Sequence, residues 1–450
     1  MARKYTYKVN VITLGRRWLI QFRRIISKTS SGTILLLAAS LLALFFANSP
    51  WAPIYSNLWK VRIGFSVGEF QVYKPFILWI NDGMMSVFFF LVGLELKREI
   101  VSGELSNPKN TLIAFIAGIG GMTMPALIYI LFNANAGGEA LKGWGIPMAT
   151  DIAFALGILY LLGNRVPLSL KVFLTALAII DDIGSVFVIA FFYTSDLSLS
   201  NLGVGAAFLT LLIIGNRLGI RNPYFYGIVG IGGLWLAFLL SGVHATIAAV
   251  LAAFTIPARY EITKYMYLHK TDLLLTRFSR IPVNDDKLLN EKQYVLLESM
   301  KRNTDKAIPP LQMLEYNLHI PVAFVVLPIF AFSNTGISLS GISINTLTDT
   351  ISLGIMVGLI AGKVIGIIGF VFLAEKLKLI KLPPSITYPI LVGTSFLAAV
   401  GFTMALFITQ LAFEVEQNAY QARLGIFVAS LVAGLTGYFL LNRFLPRHRG

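Results

Sequence analysis

The stretch LAIIDDIGSV, residues 177–186, places Asp181 and Asp182 side by side in an otherwise almost wholly apolar run. A charged side chain at the centre of a membrane helix costs about 2.5–3.5 kcal/mol on insertion scales, and more if it is isolated in lipid. Such residues therefore face a protein interior or a water-filled cavity. The fold has to enclose this pair, and the rest of the sequence is interpreted from that requirement.

The composition indicates that the surroundings are a membrane. Hydrophobic residues make up 56% of the 450 residues and charged residues 13%, with a mean hydropathy of +0.74, whereas soluble domains carry about 25% charged residues. A chain of this length has room for about a dozen spans, since each helix needs roughly 20 apolar residues to cross the hydrocarbon. The sequence contains no cysteine, which excludes disulfides, thiolate metal sites and cysteine nucleophiles.

Apolar runs separated by turn residues and charges predict an all-α integral membrane protein with about twelve transmembrane helices. The predicted spans cover residues 33–48, 76–96, 111–133, 141–163, 168–194, 200–215, 223–241, 243–258, 318–338, 350–374, 385–412 and 421–442. Spans 1–8 thus occupy residues 33–258 and spans 9–12 occupy residues 318–442. A cytoplasmic insertion at 259–317 separates these two groups.

Basic residues are concentrated in alternate loops, which predicts the orientation. The arm at residues 1–32 has no acidic residue and contains Arg3, Lys4, Lys8, Arg16, Arg17, Arg23, Arg24 and Lys28. It is typical of a cytoplasmic anchor on anionic lipid headgroups, and the same asymmetry makes the tail at 443–450 cytoplasmic. A cleavable signal peptide is the alternative, but the charged lead is too long for one. The net charge of +15 therefore indicates membrane orientation, with no nucleic-acid partner.

Two loops are more than simple connectors. The first outside loop contains VRIGFSVGEFQVY, residues 61–73, whose alternation around Val67 and Gly68 predicts a short β-hairpin. Residues 259–310 mix ten basic with seven acidic residues and include an amphipathic helical pattern at residues 288–302. We expect this segment to be a solvated cytoplasmic insertion, with regulation as the alternative role.

Few charges fall inside the predicted spans. Apart from Glu95 at the end of the second span, the acidic ones are Asp82, Asp151, Asp181 and Asp182, and Lys363 is the lysine near the middle of a span. For a single aspartate, the alternative to a functional role is an ion pair that only joins helices. One lysine cannot neutralise Asp181, Asp182 and Asp151 together. The surplus negative charge predicts a site for a mobile cation.

Two of the predicted spans contain residues that interrupt a helix. In KGWGIPMATDIAFALG, residues 142–157, two glycines and Pro147 precede Thr150 and Asp151. Span 11 is interrupted at Gly401 and Thr403 in FLAAVGFTMALF, residues 396–407. Unwound backbone at this depth must face protein or water, and its carbonyls and threonine hydroxyls are expected to offer hard oxygen ligands to a small cation. Each interrupted helix is the second of three, as in an inverted repeat, and such pairs indicate a transporter site.

Several motifs occur in an order that resembles one family. They are WINDGMMSVFFFLVGLELKREI (79–100), ATDIAFALG (149–157), LAIIDDIGSV (177–186), SGVHATIA (241–248), LPIFAFSNTGI (327–337), GKVIGI (362–367) and GFTMALFI (401–408). Across nearly the whole chain, the sequence resembles the bacterial sodium/proton antiporters of the NhaA type. The resemblance implies inverted-topology repeats, with two broken helices that cross near the midplane of the membrane.

The resemblance also implies roles for individual residues. Asp182 corresponds to the main carboxylate that binds the transported cation and carries the proton, and Asp181 to its partner, which pairs with Lys363. Thr150 and Asp151 correspond to unwound-helix residues that compensate helix dipoles and assist binding. Asp82 corresponds to an aspartate near the cation path.

A further set falls at positions that the family links to pH sensing: Glu95, Arg98, Glu99, His244 and Glu315. The alternatives here are structural. Glu95, Arg98 and Glu99 have the spacing of an ordinary interfacial ion-pair cluster, and a lone histidine is more often a packing residue.

The function implied is exchange of Na⁺ or Li⁺ for H⁺ by an electrogenic, pH-regulated secondary transporter. We expect no cofactor and no enzymatic reaction, a location in the bacterial inner membrane, and a homodimer paired through the hairpins. The alternatives are an antiporter of another monovalent cation such as K⁺, a sodium-coupled symporter, and a passive channel lined by carboxylates. An intramembrane aspartyl protease would need its aspartates on separate helices in different motifs, and no nucleotide-binding loop supports ATP-driven pumping.

Overall fold

The computed structural model describes residues 30–67, 70–103, 108–194, 197–282, 288–339 and 344–446. These residues are mostly helical. Most of the predicted basic arm, the tip of the predicted hairpin at Gly68, part of the predicted insertion and residues 447–450 of the tail lie outside the described residues.

The first half of the chain contains one short hairpin among helices. In order, its elements are α1 (Ser30–Ala47), α2 (Ala52–Lys60), β1 (Arg62–Val67), β2 (Phe70–Pro75), α3 (Phe76–Ser102), α4 (Pro108–Asn133), α5 (Gly138–Leu141), α6 (Ile152–Leu161), α7 (Leu168–Phe192), α8 (Leu199–Arg217), α9 (Pro223–Leu239) and α10 (Ala245–Thr255). A 3₁₀ segment, Lys142–Met148, continues α5 toward α6.

The second half is helical throughout its described residues. Its elements are α11 (Lys264–Ser279), α12 (Glu291–Ala307), α13 (Pro310–Asn334), α14 (Ile344–Leu347), α15 (Thr350–Lys376), α16 (Tyr388–Ala398), α17 (Phe402–Ala412) and α18 (Glu416–Phe444). Short π-helical stretches interrupt α3, α9, α13 and α15.

Many of the helices are long and apolar enough to cross a membrane. Among the described residues there are eight such spans, or up to ten if each of two bent helix pairs is counted as one span. The predicted seventh and eighth spans correspond to the shorter apolar helices α9 and α10, and the predicted eleventh span corresponds to α16 and α17, which are bent by 46°. The protein is therefore a multi-pass membrane protein, as the composition predicted.

Close packing between α4 and α15 depends on glycine. A Cβ atom built on Gly120 would lie 2.3 Å from the carbonyl oxygen of Gly366, and one built on Gly366 would lie 2.0 Å from that of Gly120. Any side chain at either position would force the two backbones apart. This contact fixes α15, which carries Lys363, against the helix next to the interrupted segment.

The two strands form an antiparallel hairpin before α3. Its register pairs Arg62 with Pro75 and Val67 with Phe70. The indole nitrogen of Trp79 donates a hydrogen bond to the carbonyl oxygen of Ile63 at 2.8 Å, and this bond ties the hairpin to the start of α3.

The helices α11 and α12 form an exposed pair in the segment predicted as an insertion. None of their residues is buried, and the solvated insertion stays a prediction. The backbone nitrogen of Glu261 donates to the carbonyl oxygen of Lys306 at 2.9 Å, so the two ends of the pair are held together where the chain leaves and rejoins the spans.

Candidate cation-binding site

Two interrupted helices meet at Asp151. The helical hydrogen bonding stops at Met148 and resumes at Ile152, and in the other segment it stops at Ala398 and resumes at Phe402. Asp151 lies in the first gap with an extended backbone and is 1% exposed. Because α6 and α17 both begin beside this residue, their N-terminal backbone amides are available to its carboxylate.

The carboxylate of Asp151 accepts hydrogen bonds from both helices. The backbone amide of Phe154 donates to Oδ1 at 3.1 Å, and the amide of Thr403 donates to Oδ2 at 2.9 Å. The hydroxyl of Thr403 also donates to Oδ2. The N-terminus of a helix carries a partial positive charge, so two such ends stabilise the negative charge of Asp151 at a depth that excludes water.

The two interrupted segments also form hydrogen bonds with each other. The amide of Asp151 donates to the carbonyl of Val400 at 2.7 Å, and the hydroxyl of Thr150 lies 2.7 Å from the carbonyl of Ala398. This differs from the expectation that freed carbonyls and threonine hydroxyls lie open to a cation. Buried backbone groups need partners, and each gap supplies the partners that the other lacks.

Lys363 pairs with Asp181 in the interior. The ammonium group contacts Oδ2 of Asp181, and both side chains are 0% exposed. The hydroxyl of Thr150 lies 2.7 Å from the same oxygen and 3.0 Å from the lysine nitrogen. Lys363, Thr150 and Asp181 therefore form one network, which links α15, the first gap and α7.

Asp182 differs from the other two aspartates. It is 1% exposed, and its Oδ1 atom has no hydrogen-bond partner among the residues that the structure describes. Asp151 is compensated by helix ends and Asp181 by a lysine, but Asp182 receives no positive group of its own. The arrangement thus leaves one carboxylate able to bind a cation that arrives from outside.

Asp82 and His244 lie in separate contacts. The carboxylate of Asp82 forms an ion pair with Lys74 of β2 at 3.1 Å, and both side chains are partly exposed. Lys74 was not singled out from the sequence. A ring nitrogen of His244 lies 2.8 Å from the carbonyl oxygen of Tyr193, just after α7. Neither residue is hydrogen-bonded to the group around Asp151.

The predicted sensing residues form a second charged group near the end of α3. Arg98 lies 2.8 Å from a carboxylate oxygen of Glu99 and 3.2 Å from one of Glu315, which belongs to α13. Glu95 is close enough for its charge to act on Arg98 and Glu315 and also on Asp182. The charge of Glu95 therefore interacts both with this group and with Asp182.

Ser185, a buried serine one turn beyond the aspartate pair, was not singled out from the sequence. Its spacing of three and four residues from the two aspartates was the available signal, because residues at these spacings are neighbours on a helix surface.

A helical multi-pass protein whose interior charges surround two interrupted helices has the architecture of a secondary transporter. A family model described as Na⁺/H⁺ antiporter 1 matches residues 23–441. The chain belongs to this family.

Similar proteins extend over almost the same length. The chain is 45% identical over 428 residues to a Na⁺/H⁺ antiporter NhaA of Oleidesulfovibrio alaskensis, covering 95% of this chain and 94% of the relative. It is 44% identical to Na⁺/H⁺ antiporter NhaA 1 of Saccharophagus degradans, covering 94% and 92%. A Na⁺/H⁺ antiporter NhaA of Shewanella frigidimarina is 43% identical, and the match covers 94% of this chain and 96% of the relative.

Proposed function

We propose that this protein exchanges Na⁺ for H⁺ across a membrane as a secondary transporter, without an enzymatic reaction. Relatives named Na⁺/H⁺ antiporter along nearly the full chain support this function. No relative or contact supports the alternatives of a K⁺ antiporter or a passive channel. The observation that carries the proposal is the buried, uncompensated carboxylate of Asp182.

Asp182 is the exchange site in this proposal. An isolated negative charge in a water-poor interior is costly, so either a proton or a dehydrated Na⁺ neutralises the carboxylate, and the two exclude each other. If the protein reorients only when the site is neutral, Na⁺ movement in one direction is coupled to H⁺ movement in the other.

Lys363 and Asp181 supply the second part of the cycle. Their direct pairing supports a role in which binding of the cation competes with the lysine for carboxylate oxygens and releases a further proton. More than one proton then moves per Na⁺, and the exchange draws on the membrane potential at about 2.3 kcal/mol per charge per 100 mV. Asp151 holds the ends of the interrupted helices together, with Gly401 and Thr403 on the opposing segment.

The finer architecture follows the family pattern in our proposal. The bent pair of α16 and α17 and the gap between α5 and α6 support twelve spans arranged as inverted repeats whose broken helices cross near the midplane. The division into an arm (1–32), spans 1–8 (33–258), an insertion (259–317), spans 9–12 (318–442) and a tail (443–450) is part of the same proposal.

The excess of basic residues in alternate loops supports an inner-membrane location with both termini in the cytoplasm. We further propose Li⁺ as a second substrate, contacts of the basic arm with the lipid bilayer, and a homodimer. The hairpin of β1 and β2 supports the dimer, because a two-stranded sheet leaves edges that can pair.

Regulation by pH is assigned to the charged group near the end of α3. Arg98 is paired with both Glu99 and Glu315, and the charge of Glu95 acts on Asp182. A change of protonation in this group therefore acts on the exchange site. His244 belongs to the same proposed set of pH-sensing residues, and Asp82 forms part of the proposed cation path.

Reconstitution into sealed vesicles tests the function directly. The internal pH is followed while Na⁺, Li⁺ or K⁺ is added outside. We expect the first two ions to drive proton movement and K⁺ to have little effect. A pH gradient that dissipates equally without any alkali cation contradicts the proposal.

A further inference from the structure

Three buried oxygen atoms on α7 lack hydrogen-bond partners within the described part of the chain. They are Oδ1 of Asp181, Oδ1 of Asp182 and the hydroxyl of Ser185, and each residue is at most 1% exposed. Most buried polar atoms in proteins are satisfied, and one that is not calls for a specific explanation, such as a bound ion. Three within five consecutive residues of one helix need a common explanation.

Ser185 departs from the way this protein treats other buried hydroxyls. Helical serine and threonine residues usually satisfy the hydroxyl on the carbonyl four residues earlier. Four buried examples here do so at 2.7–2.8 Å: Ser40, Thr394, Ser395 and Thr409. Ser185 has the same helical setting, yet its hydroxyl does not bond to its own helix. Its hydroxyl is therefore not held in place by its own helix and can turn its oxygen lone pairs toward another group.

The position of Ser185 on the helix brings its hydroxyl to the aspartates. Each residue turns the helix by about 100°. Measured around the helix axis from Asp181, Ser185 therefore lies at about 40° and Asp182 at about 100° in the same direction. Ser185 thus occupies the sector between the two carboxylates, one turn further along. Residues three and four apart are surface neighbours with Cβ atoms about 5–6 Å apart, a separation that a small cation bound to both side chains can bridge.

The helix α4 does not pack against the sector of α7 that contains Ser185. A Cβ atom on Gly118 of α4 would contact Ile180 and lie 3.7 Å from Oδ1 of Asp181, and one on Gly184 would overlap Met122 of α4. Measured in the same way, Ile180 and Gly184 lie on the side of Asp181 that faces away from Ser185. α4 therefore packs against the other flank of the aspartate pair.

We propose that the hydroxyl oxygen of Ser185 is a direct ligand of the transported cation, together with the carboxylate of Asp182. Alkali cations are hard and prefer oxygen ligands such as hydroxyls and carboxylates. A proton on Asp182 needs no such ligand, so Ser185 favours Na⁺ in the competition between the two. This assignment rests on the proposed function and names a ligand of the same site.

The test compares two replacements that differ in volume. Ser185→Ala removes the hydroxyl and its volume, whereas Ser185→Cys nearly restores the volume but replaces a hard oxygen by a soft sulfur. Ser40→Ala is the matched control, because Ser40 is a buried serine of a spanning helix whose hydroxyl bonds to its own helix. Purified protein is titrated with NaCl in weak buffer, and the protons released are measured with a pH indicator.

We expect both Ser185 variants to need about tenfold more Na⁺ for half-maximal proton release, the loss for one interaction with a charged group. The amount released at saturating Na⁺ stays at the wild-type value, and Ser40→Ala stays within about twofold of the wild type. Unchanged half-saturation in Ser185→Ala overturns the assignment, as does recovery in Ser185→Cys, which would make Ser185 a packing residue. A wild-type protein that releases no protons on Na⁺ addition contradicts the proposed function itself, which is a separate result.

Discussion

Two lysine–carboxylate pairs in this protein have the same chemistry in opposite surroundings. Lys363 and Asp181 are both 0% exposed in the interior, whereas Lys306 and Glu261 have side chains that are 40% and 41% exposed at the base of the exposed helix pair α11 and α12. Arg221 adds a third charge to the exposed pair at 3.9 Å. Thr150 adds a neutral hydroxyl to the buried one.

The two pairs differ in the free-energy cost of leaving one ion without its partner. Exposed pairs contribute about 0–1 kcal/mol because water solvates each partner when it is alone. Removal of one partner of a buried pair leaves an uncompensated charge and costs about 3–5 kcal/mol. We therefore expect the three interior aspartates and Lys363 to serve transport, whereas the exposed pair joins the two ends of the segment that contains α11 and α12.

The largest effect is expected at Asp182, whose Oδ1 atom has no hydrogen-bond partner among the described residues. Asp182→Asn removes the charge that alternately binds Na⁺ and H⁺ and keeps the shape of the side chain. We expect Na⁺-dependent proton flux in vesicles to fall to the background of empty vesicles. Asp272→Asn, on the exposed face of α11, serves as the matched control and should retain wild-type flux. Normal exchange by Asp182→Asn would reject its role.

A smaller effect is expected from loss of the buried pair. Lys363→Ala leaves Asp181 charged without its lysine, so we expect a destabilisation of about 3–5 kcal/mol and a weakened or uncoupled exchange. Stability in detergent is measured by thermal unfolding, and coupling by the voltage dependence of proton flux. The double variant Lys363→Ala with Asp181→Asn should recover part of the stability but not the coupling. If stability, flux and pH profile all stay unchanged, the pair has no role in transport.

Much of this interior could be predicted from the sequence because membrane burial is a strong constraint. Charges in a long apolar run have few possible environments, so Asp151, Asp181, Asp182 and Lys363 stood out by composition alone. The helical, multi-pass fold and the family are confirmed. The roles of the individual residues stay predictions.

What could not be predicted depends on contacts between distant segments. The mutual satisfaction of the two backbone gaps pairs Asp151 with Val400 and Thr150 with Ala398, which are separated by about 250 residues. No local pattern reveals that these oxygens are already engaged. Ser185 was overlooked for a different reason: serine is common in helices, so its spacing from the aspartates is a weak signal, and the failure of its hydroxyl to bond to its own helix is visible only in the structure.

The smallest effect is expected at the exposed pair, where Lys306→Ala should change stability by less than about 1 kcal/mol and leave exchange unaltered. The hydrogen bond from Lys306 holds the pKa of Glu261 below its ordinary value of 4.5. A carboxyl group with a lowered pKa stabilises the folded state fully above its ordinary pKa, and this contribution is lost as the pH falls through the lowered value. Thermal unfolding of the wild type and Lys306→Ala should therefore differ slightly at pH 7, converge as the pH falls below 4.5, and converge also in high salt, which screens exposed charges. A loss at pH 7 as large as that of Lys363→Ala would mean that exposure does not separate the two pairs.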